Sequence, residues 1–354
     1  MLKGIAMGHW YEELAPAADE EMRAAAIARQ DSLTKPKGAL GRLEALAIQM
    51  SAVQCTLEPH ANKPLIAVFA GDHGVATEDI SAYPQAVTSE MVRNFAKGGA
   101  AISVLAKSMA VDFKVINVGT VYALEDLDNV EDCRVGAGTQ NMCVTEAMTM
   151  DQCEEALMVG RDVIDQAGDI DVFIGGEMGI GNSTSAAALA VAHTRLAATA
   201  MVGRGTGISD QILAKKSAVV TRAMSRHLPH MKNGMEVLRR IGGFEINALA
   251  GAYIRAAQLG VVVLVDGYIC TAAAISAVKV NPSIRPWLFF SHCSAEPGHS
   301  RLLSKLEAEP LLQLDMRLGE GTGAALALPI MQAACRLQIE MASFEQAGVS
   351  RGND

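Results

Sequence analysis

Short, unbroken apolar runs separated by helical stretches constrain this chain more than any other feature. The runs are Leu65–Ala70, Phe113–Val118, Asp171–Ile174, Ala200–Val202, Val261–Val265 and Trp287–Phe290. A strand with one wet face alternates apolar and polar residues, so continuous runs indicate strands covered on both faces. Between them lie helical patterns at Thr88–Met109, Met150–Ala167, Ser209–His227, Phe244–Gln258 and Tyr268–Lys279. Thr149 and Gln152 have the spacing of a capping box in front of the second pattern. The alternation predicts an α/β fold: a parallel, Rossmann-like sheet of about six strands with helices on both faces. In such a sheet ligands bind beyond the carboxyl ends of the strands.

Before Pro64 the chain shows no strand pattern. Pro16–Gln30 reads as a helix with acids in its first turn, and a second helix is predicted to start near Leu40. Helical patterns return after Pro297. The composition fits a packed core, since half of the 354 residues are hydrophobic and only 19% are charged. A net charge of −9 without a dense basic block argues against a nucleic-acid partner. No apolar run approaches the ~20 residues that span a bilayer, so no membrane partner is expected and the expected location is the cytoplasm. The seven cysteines include no C-x-x-C pair and read as reduced thiols, with no metal site.

Two glycine-rich turns carry a glutamate into an alanine-rich helix. One is Gly319-Glu320-Gly321-Thr322-Gly323; the other is Gly175-Gly176-Glu177-Met178-Gly179-Ile180-Gly181-Asn182-Ser183-Thr184. Glycines allow close backbone approach and fresh helix N–H groups attract anions, so the pair reads as one site with a carboxylate and a phosphate cradle. A dipole-complementing acid would explain Glu320 alone, but it would not require flanking glycines that forfeit backbone order. A third glycine loop, Gly203–Ser209, contains Gly205 and precedes Lys215 and Lys216, either of which could reach a phosphate. None of these loops has the P-loop or first-strand dinucleotide spacing. Asp266 ends an apolar strand as a single acid, where diphosphate-using phosphoribosyltransferases carry two adjacent acids; contact with a ribose or base is the reading left for it. His73 and His292 read as local hydrogen-bonding residues.

Several stretches in order resemble the nicotinate-nucleotide–dimethylbenzimidazole phosphoribosyltransferase family. They are Leu33–Glu44, Gly71–Val75, Gly175–Asn182, Val237–Glu245, Leu264–Tyr268, Ser291–Glu296 and Arg317–Gly323. The resemblance implies transfer of the phosphoribosyl group of nicotinate mononucleotide to dimethylbenzimidazole, with no cofactor or metal, by a homodimer. It implies a small helical domain from both termini (1–62 and 303–354) and a large α/β domain (63–302) carrying most of the site. Glu320 matches the family's general base and Glu177 a carboxylate beside the ribose. Gly179, Ile180, Gly181, Asn182, Ser183 and Thr184, with Lys216, match phosphate-binding parts. Gly205, Asp266, Ser294, Leu318, Gly319 and Gly321 complete the implied substrate contacts. An apolar surround of Met316 and Leu318 is expected to raise the Glu320 pKa. The chain departs from the family around the base pocket. Tyr83 (before Pro84) replaces a small polar residue and Met91 a glutamine, making the pocket more apolar. Another acceptor (a different benzimidazole, adenine or a phenol) and a non-catalytic nucleotide-binding protein are the alternatives.

Overall fold

The computed structural model describes residues 9–350 apart from Thr206 and Ile208. Among these residues six strands form one parallel sheet: β1 (Pro64–Gly71), β2 (Asp112–Gly119), β3 (Val130–Asp132), β4 (Val172–Met178), β5 (Val262–Val265) and β6 (Leu288–Phe290). Their spatial order is β3-β2-β1-β4-β5-β6, the doubly wound arrangement, with its order reversing between β1 and β4. Ile66, Val68, Ile174, Val263 and Leu264 are fully buried, which is why these strands read as unbroken apolar runs.

The helices in chain order begin with α1 (Glu20–Ser32), α2 (Arg42–Gln54), α3 (Ala86–Ala96), α4 (Ala101–Ser108) and α5 (Met150–Asp165). Next come α6 (Asn182–Thr194), α7 (Ala198–Met201), α8 (Asp210–His227), α9 (Gly234–Ile241) and α10 (Phe244–Gln258). The last are α11 (Tyr268–Val280), α12 (His299–Lys305), α13 (Thr322–Glu340) and α14 (Phe344–Ala347). The capping box at Thr149 and Gln152 is formed as the spacing predicts.

Four expectations are corrected. Ala200–Val202 is not a strand; it ends a single helical turn, α7, because three apolar residues after an alanine-rich helix have no strand to pair with. Its place in the count is taken by β3, whose Val-Glu-Asp sequence is half exposed at the sheet edge and held by three residue pairs with β2. The Thr88–Met109 pattern is two helices, broken at Lys97–Gly99, where Gly98 adopts φ +77°. Finally, β4 runs on through Gly175-Gly176-Glu177, because Phe69 and Ala70 of β1 continue the ladder opposite Glu177 and Met178. Glu177 therefore sits on a strand end rather than in the following turn.

N- and C-terminal helices pack together: α2 lies against α1 and α13. Gln30 donates to Gln338 at 2.6 Å, and Leu33 bridges to Ser343. Their apolar residues, including Leu46, Met50 and Met331, belong to the same continuous core as the sheet. Among the described residues no helix is long and apolar enough to cross a membrane.

Helix α5 crosses α10 at close range. A Cβ on Gly160 would fall on the Ala248 carbonyl, and one on Gly251 would fall on the Leu157 carbonyl, so the two glycines set the approach. Alanine would gain about 1 kcal/mol of helix propensity at such positions. Overpacking against rigid backbone costs roughly 1–3 kcal/mol and outweighs that gain. Gly160→Ala should therefore lower the urea midpoint at unchanged slope; a stabilised variant would show that the crossing is looser than described.

Candidate active site

The turn before α13 is built in an unusual conformation. Gly319, Glu320 and Gly321 have φ of +89°, +64° and +88° in succession. A left-handed glutamate costs of order 1–3 kcal/mol, so something must hold it. The carboxylate of Asp266, at the end of β5, does so. It accepts from the Gly321 N–H at 3.2 Å and the Ala324 N–H at 2.9 Å, satisfying the first turn of α13. Thr322 closes the turn from the other side, its hydroxyl donating to the Gly319 carbonyl at 2.8 Å. The turn also lies directly on β4: a Cβ at Gly176 would collide with the Glu320 carbonyl, and one at Gly319 with the Glu177 carboxylate. Hence both Glu–Gly motifs meet, and each needs its glycines for the approach of the other.

The second glycine loop, after β4, is held by a chain of hydrogen bonds from the β1–α3 segment. The Thr88 hydroxyl donates to Asp72 at 2.6 Å and accepts the Ile180 N–H at 3.1 Å. The His73 N–H donates to the Ile180 carbonyl at 3.3 Å. His73 itself is buried, its ring Nε2 lying 2.7 Å from the Glu245 carboxylate. Gly181 caps α6 at φ +102°, and its missing Cβ makes room for His73.

These loops enclose a cavity of about 470 Å³, a volume suited to a small organic ligand. Of the residues singled out from sequence, Tyr83, Met91, Glu177, Gly179, Ile180, Asn182, Ser183, Gly205, Ser294, Leu318, Gly319 and Glu320 line it. Six do not. Thr184 is fully buried in α6, Gly181 packs on His73, and Gly321 packs on Gly176. Pro84 borders a neighbouring hollow. Lys216 lies behind the wall, its Nζ 2.9 Å from the Ser183 hydroxyl and 3.4 Å from the Gly203 carbonyl. Asp266 is buried and spends its carboxylate on the α13 backbone rather than facing a ligand. Thr206 of the third glycine loop lies outside the described residues.

Wall residues given no site role from sequence are Val87, Met178, Gly267, Tyr268, Ile269, Glu296, Arg317 and His292, the last read as a local hydrogen-bonding residue. Val87 stands one turn before Met91 on α3, so helical spacing alone would have found it. Gly267 and Tyr268 open α11, a second helix start on the cavity besides α6. Neither helix has a side-chain cap at its first turn. Two helix N-termini facing one cavity make it receptive to anions.

The electrostatics divide in two. Lys216, the Gly205 loop and Arg317, whose guanidinium donates to the Gly205 carbonyl at 2.8 Å, form a cationic group of contacts. Burial pulls the Lys216 pKa down to about 8 against the pull of Glu296. The acids form the other group. Burial raises Glu177 well above the ordinary carboxylate range, and Asp266, Glu245 and Glu320 add to the rise while the Asn182 amide, donating to Glu177, opposes it. Burial also raises Glu320, as its apolar surround implied; the Ile102 N–H at the start of α4 opposes this and Asp266 reinforces it. One carboxylate oxygen of Glu320, Oε2, is shielded from solvent and has no hydrogen-bond partner among the described residues. A buried, raised-pKa carboxylate on a residue that lines a ligand-sized cavity is suited to take a proton from a bound molecule.

Residues 15–349 match a phosphoribosyltransferase family, DBI_PRT. The nicotinate-nucleotide–dimethylbenzimidazole phosphoribosyltransferase of Pseudomonas aeruginosa (strain LESB58) is 52% identical over 344 residues, covering 96% of this chain and 98% of that one. The protein of the same name from Xanthomonas axonopodis pv. citri (strain 306) is 53% identical over 343 residues with the same coverage. Among solved structures, the enzyme of that name from Thermus thermophilus superimposes with a TM-score of 0.90 at 42% identity, covering 94% of this chain and all of that one.

The geometry assigns Asp266 to holding the turn. Asp266→Ala leaves two buried N–H groups of α13 without a partner, and hydrogen bonds to charged groups contribute roughly 1.5–3 kcal/mol each. Asp266→Ala should therefore lower unfolding free energy by roughly 3–6 kcal/mol in urea titrations. An unchanged titration would return Asp266 to the role of ligand contact.

Proposed function

This chain belongs to the phosphoribosyltransferase family DBI_PRT, and on that premise we propose that it transfers the 5-phosphoribosyl group of nicotinate mononucleotide to 5,6-dimethylbenzimidazole. The products are α-ribazole 5′-phosphate and nicotinate. The observation that carries this reading is Glu320: a buried carboxylate of raised pKa, on a residue lining the same cavity as an anion cradle.

In the proposed reaction the nucleotide phosphate lies against Gly205, Ser183 and the start of α6, with Lys216 and Arg317 supplying positive charge. Ser294 and the start of α11 complete the donor end. The ring of the donor is a pyridinium, and the buried acids around Glu177 complement its positive charge. The acceptor base occupies the apolar wall of Val87, Met91, Met178 and Leu318, with Tyr83 at the mouth. Glu320 removes the N–H proton of the benzimidazole as the other ring nitrogen attacks ribose C1′. The bond from C1′ to the pyridinium nitrogen breaks from the opposite face, and its electron pair neutralises the departing nicotinate. Attack opposite the leaving group converts a β-nucleotide into an α-ribotide. A raised pKa suits this step, since a base is most effective when its pKa approaches the working pH.

The apolar wall supports dimethylbenzimidazole as the acceptor. Its two methyl groups bury well there, whereas the amine of adenine would lose its hydrogen bonds against Val87, Met91 and Met178. The proposal also includes a cytoplasmic homodimer and a division into a small helical unit (1–62 and 303–354) and a large α/β unit (63–302).

Glu320→Gln keeps the shape of the side chain but not its basicity. Turnover should fall by roughly 10²–10⁴ while nicotinate mononucleotide still binds; near-normal turnover would dismiss Glu320 as the base. The pH profile of kcat/KM for the nucleotide gives an independent check, because it reports groups of the free enzyme. Glu320 must be unprotonated, so activity is lost as pH falls through its raised pKa. Lys216 must be protonated, so activity is lost again as pH rises through about 8. An acid limb at or below the ordinary glutamate value of ~4.3 would contradict the assignment.

A further inference from the structure

The anion cradle holds an acid of its own. Glu296 lines the cavity, and its Oε1 accepts the Gly205 N–H at 3.0 Å. Its Oε2 is shielded from solvent and has no hydrogen-bond partner among the described residues. That oxygen lies against Gly203, where a Cβ would collide with it. Lys216, buried behind the same loop, has Glu296 as the acid that offsets its burial. A carboxylate here thus takes one loop N–H, approaches backbone only glycine permits, and sits in the field of a buried lysine. Those are the contacts an incoming phosphate needs. A phosphate dianion and this carboxylate cannot share them, because like charges at such separation in a shielded pocket repel strongly.

We infer that Glu296 is a built-in stand-in for phosphate, closing the cradle of the empty protein and swinging off Gly205 when a phosphorylated ligand enters. The inference rests on reading Lys216, Ser183 and Gly205 as the phosphate end. The arrangement has two consequences. It keeps the Gly203–Gly205 loop and Lys216 preorganised without ligand, and it competes with phosphate, so that product leaves as Glu296 returns. The backbone permits such movement: Glu296 follows Ala295, whose N–H is fixed to the Met316 carbonyl, while its own N–H is held by the Ser294 hydroxyl at 3.3 Å. The main chain is anchored and the side chain alone must move.

The test is binding of inorganic phosphate to the ligand-free protein by calorimetry, comparing wild type with Glu296→Gln and Glu296→Ala. Apparent affinity is reduced by the fraction of protein whose site is open, so a cradle self-occupied nine-tenths of the time implies tighter binding by roughly tenfold once the acid is removed. The KM for nicotinate mononucleotide should fall in parallel. A crystal structure with phosphate should show the Glu296 carboxylate displaced from the Gly205 N–H. If Glu296 merely braces the loop, both variants bind phosphate more weakly than wild type, and the inference is overturned; unchanged affinity overturns it equally. Lys216→Ala separates this from the site assignment. Loss of phosphate binding there, with no gain in the Glu296 variants, leaves the phosphate end standing and removes only the stand-in. Undiminished binding in Lys216→Ala removes both.

Discussion

The two hydrogen bonds that Asp266 accepts from the start of α13 hold the rest of the site in place. They bring the last long helix onto the carboxyl edge of the sheet, at β5, and they stabilise a run of three left-handed residues that would not persist in isolation. The strain at Glu320, of order 1–3 kcal/mol, is outweighed by the roughly 3–6 kcal/mol that two charge-assisted bonds contribute. The direction of the Glu320 side chain follows from that balance. With φ at +64° and its carbonyl pressed on Gly176, its backbone is pinned against β4, and its carboxyl reaches the Ile102 N–H at the start of α4. A sheet residue, a helix start and a glycine on a neighbouring strand are therefore one mechanical unit.

That unit explains why four acids can be buried so close together. Each is assigned a different partner: Asp266 the α13 backbone, Glu245 the His73 ring, Glu177 the Asn182 amide, and Glu320 the Ile102 N–H. The partners do not fully offset burial, so Glu177, Asp266 and Glu320 are all pushed toward the neutral form. A site in that state gains from any ligand that brings positive charge. The pyridinium of the proposed donor does so while intact and loses it on departure, so the acids favour the bound substrate and not the released ring. The chemistry proposed for Glu320 thus depends on its neighbours as well as on its own position.

How much of this was legible depended on whether a feature is local. Strands buried on both faces announce themselves, and the Thr149–Gln152 cap is a four-residue pattern; both could be read directly. β3 could not, because an edge strand of three residues with a wet face carries no apolar run. Ala200–Val202 misled because a buried helical turn and a short strand look alike over three residues. In the site, the glycine turns were visible since close approach demands glycine wherever it occurs in the chain. Their mutual contact was not, as Gly176 and Glu320 meet only once the sheet is assembled. Asp266 shows the same limit from the other side: an acid at a strand end reads as a ligand contact until the helix it caps is in place. Glu296 and Arg317 lay within quoted motifs, but nothing in their spacing distinguished them from ordinary loop charges.

The division of labour between strands and loops bears on how specificity is distributed. The proposed donor end is built from strand ends, helix starts and backbone groups: Glu177 on β4, Ser183 on α6, Gly267 before α11. Such parts are set by the sheet register, and altering one disturbs the ladder that positions the others. The proposed acceptor wall is instead made of side chains on α3, at the end of β4 and in two loops, with Tyr83 and Leu318 more than half exposed at 51% and 58%. Tyr83 and Leu318 are exposed, whereas Met91 and Met178 also pack against the core. Exchange at Tyr83, Met91 or Leu318 changes the size and polarity of the wall without touching the Asp266 clasp or the Asp72–Thr88–Ile180 chain. On the proposed assignment, the acceptor wall of this chain can thus be altered at Tyr83 or Leu318 while the parts assigned to the donor and to the base stay in place.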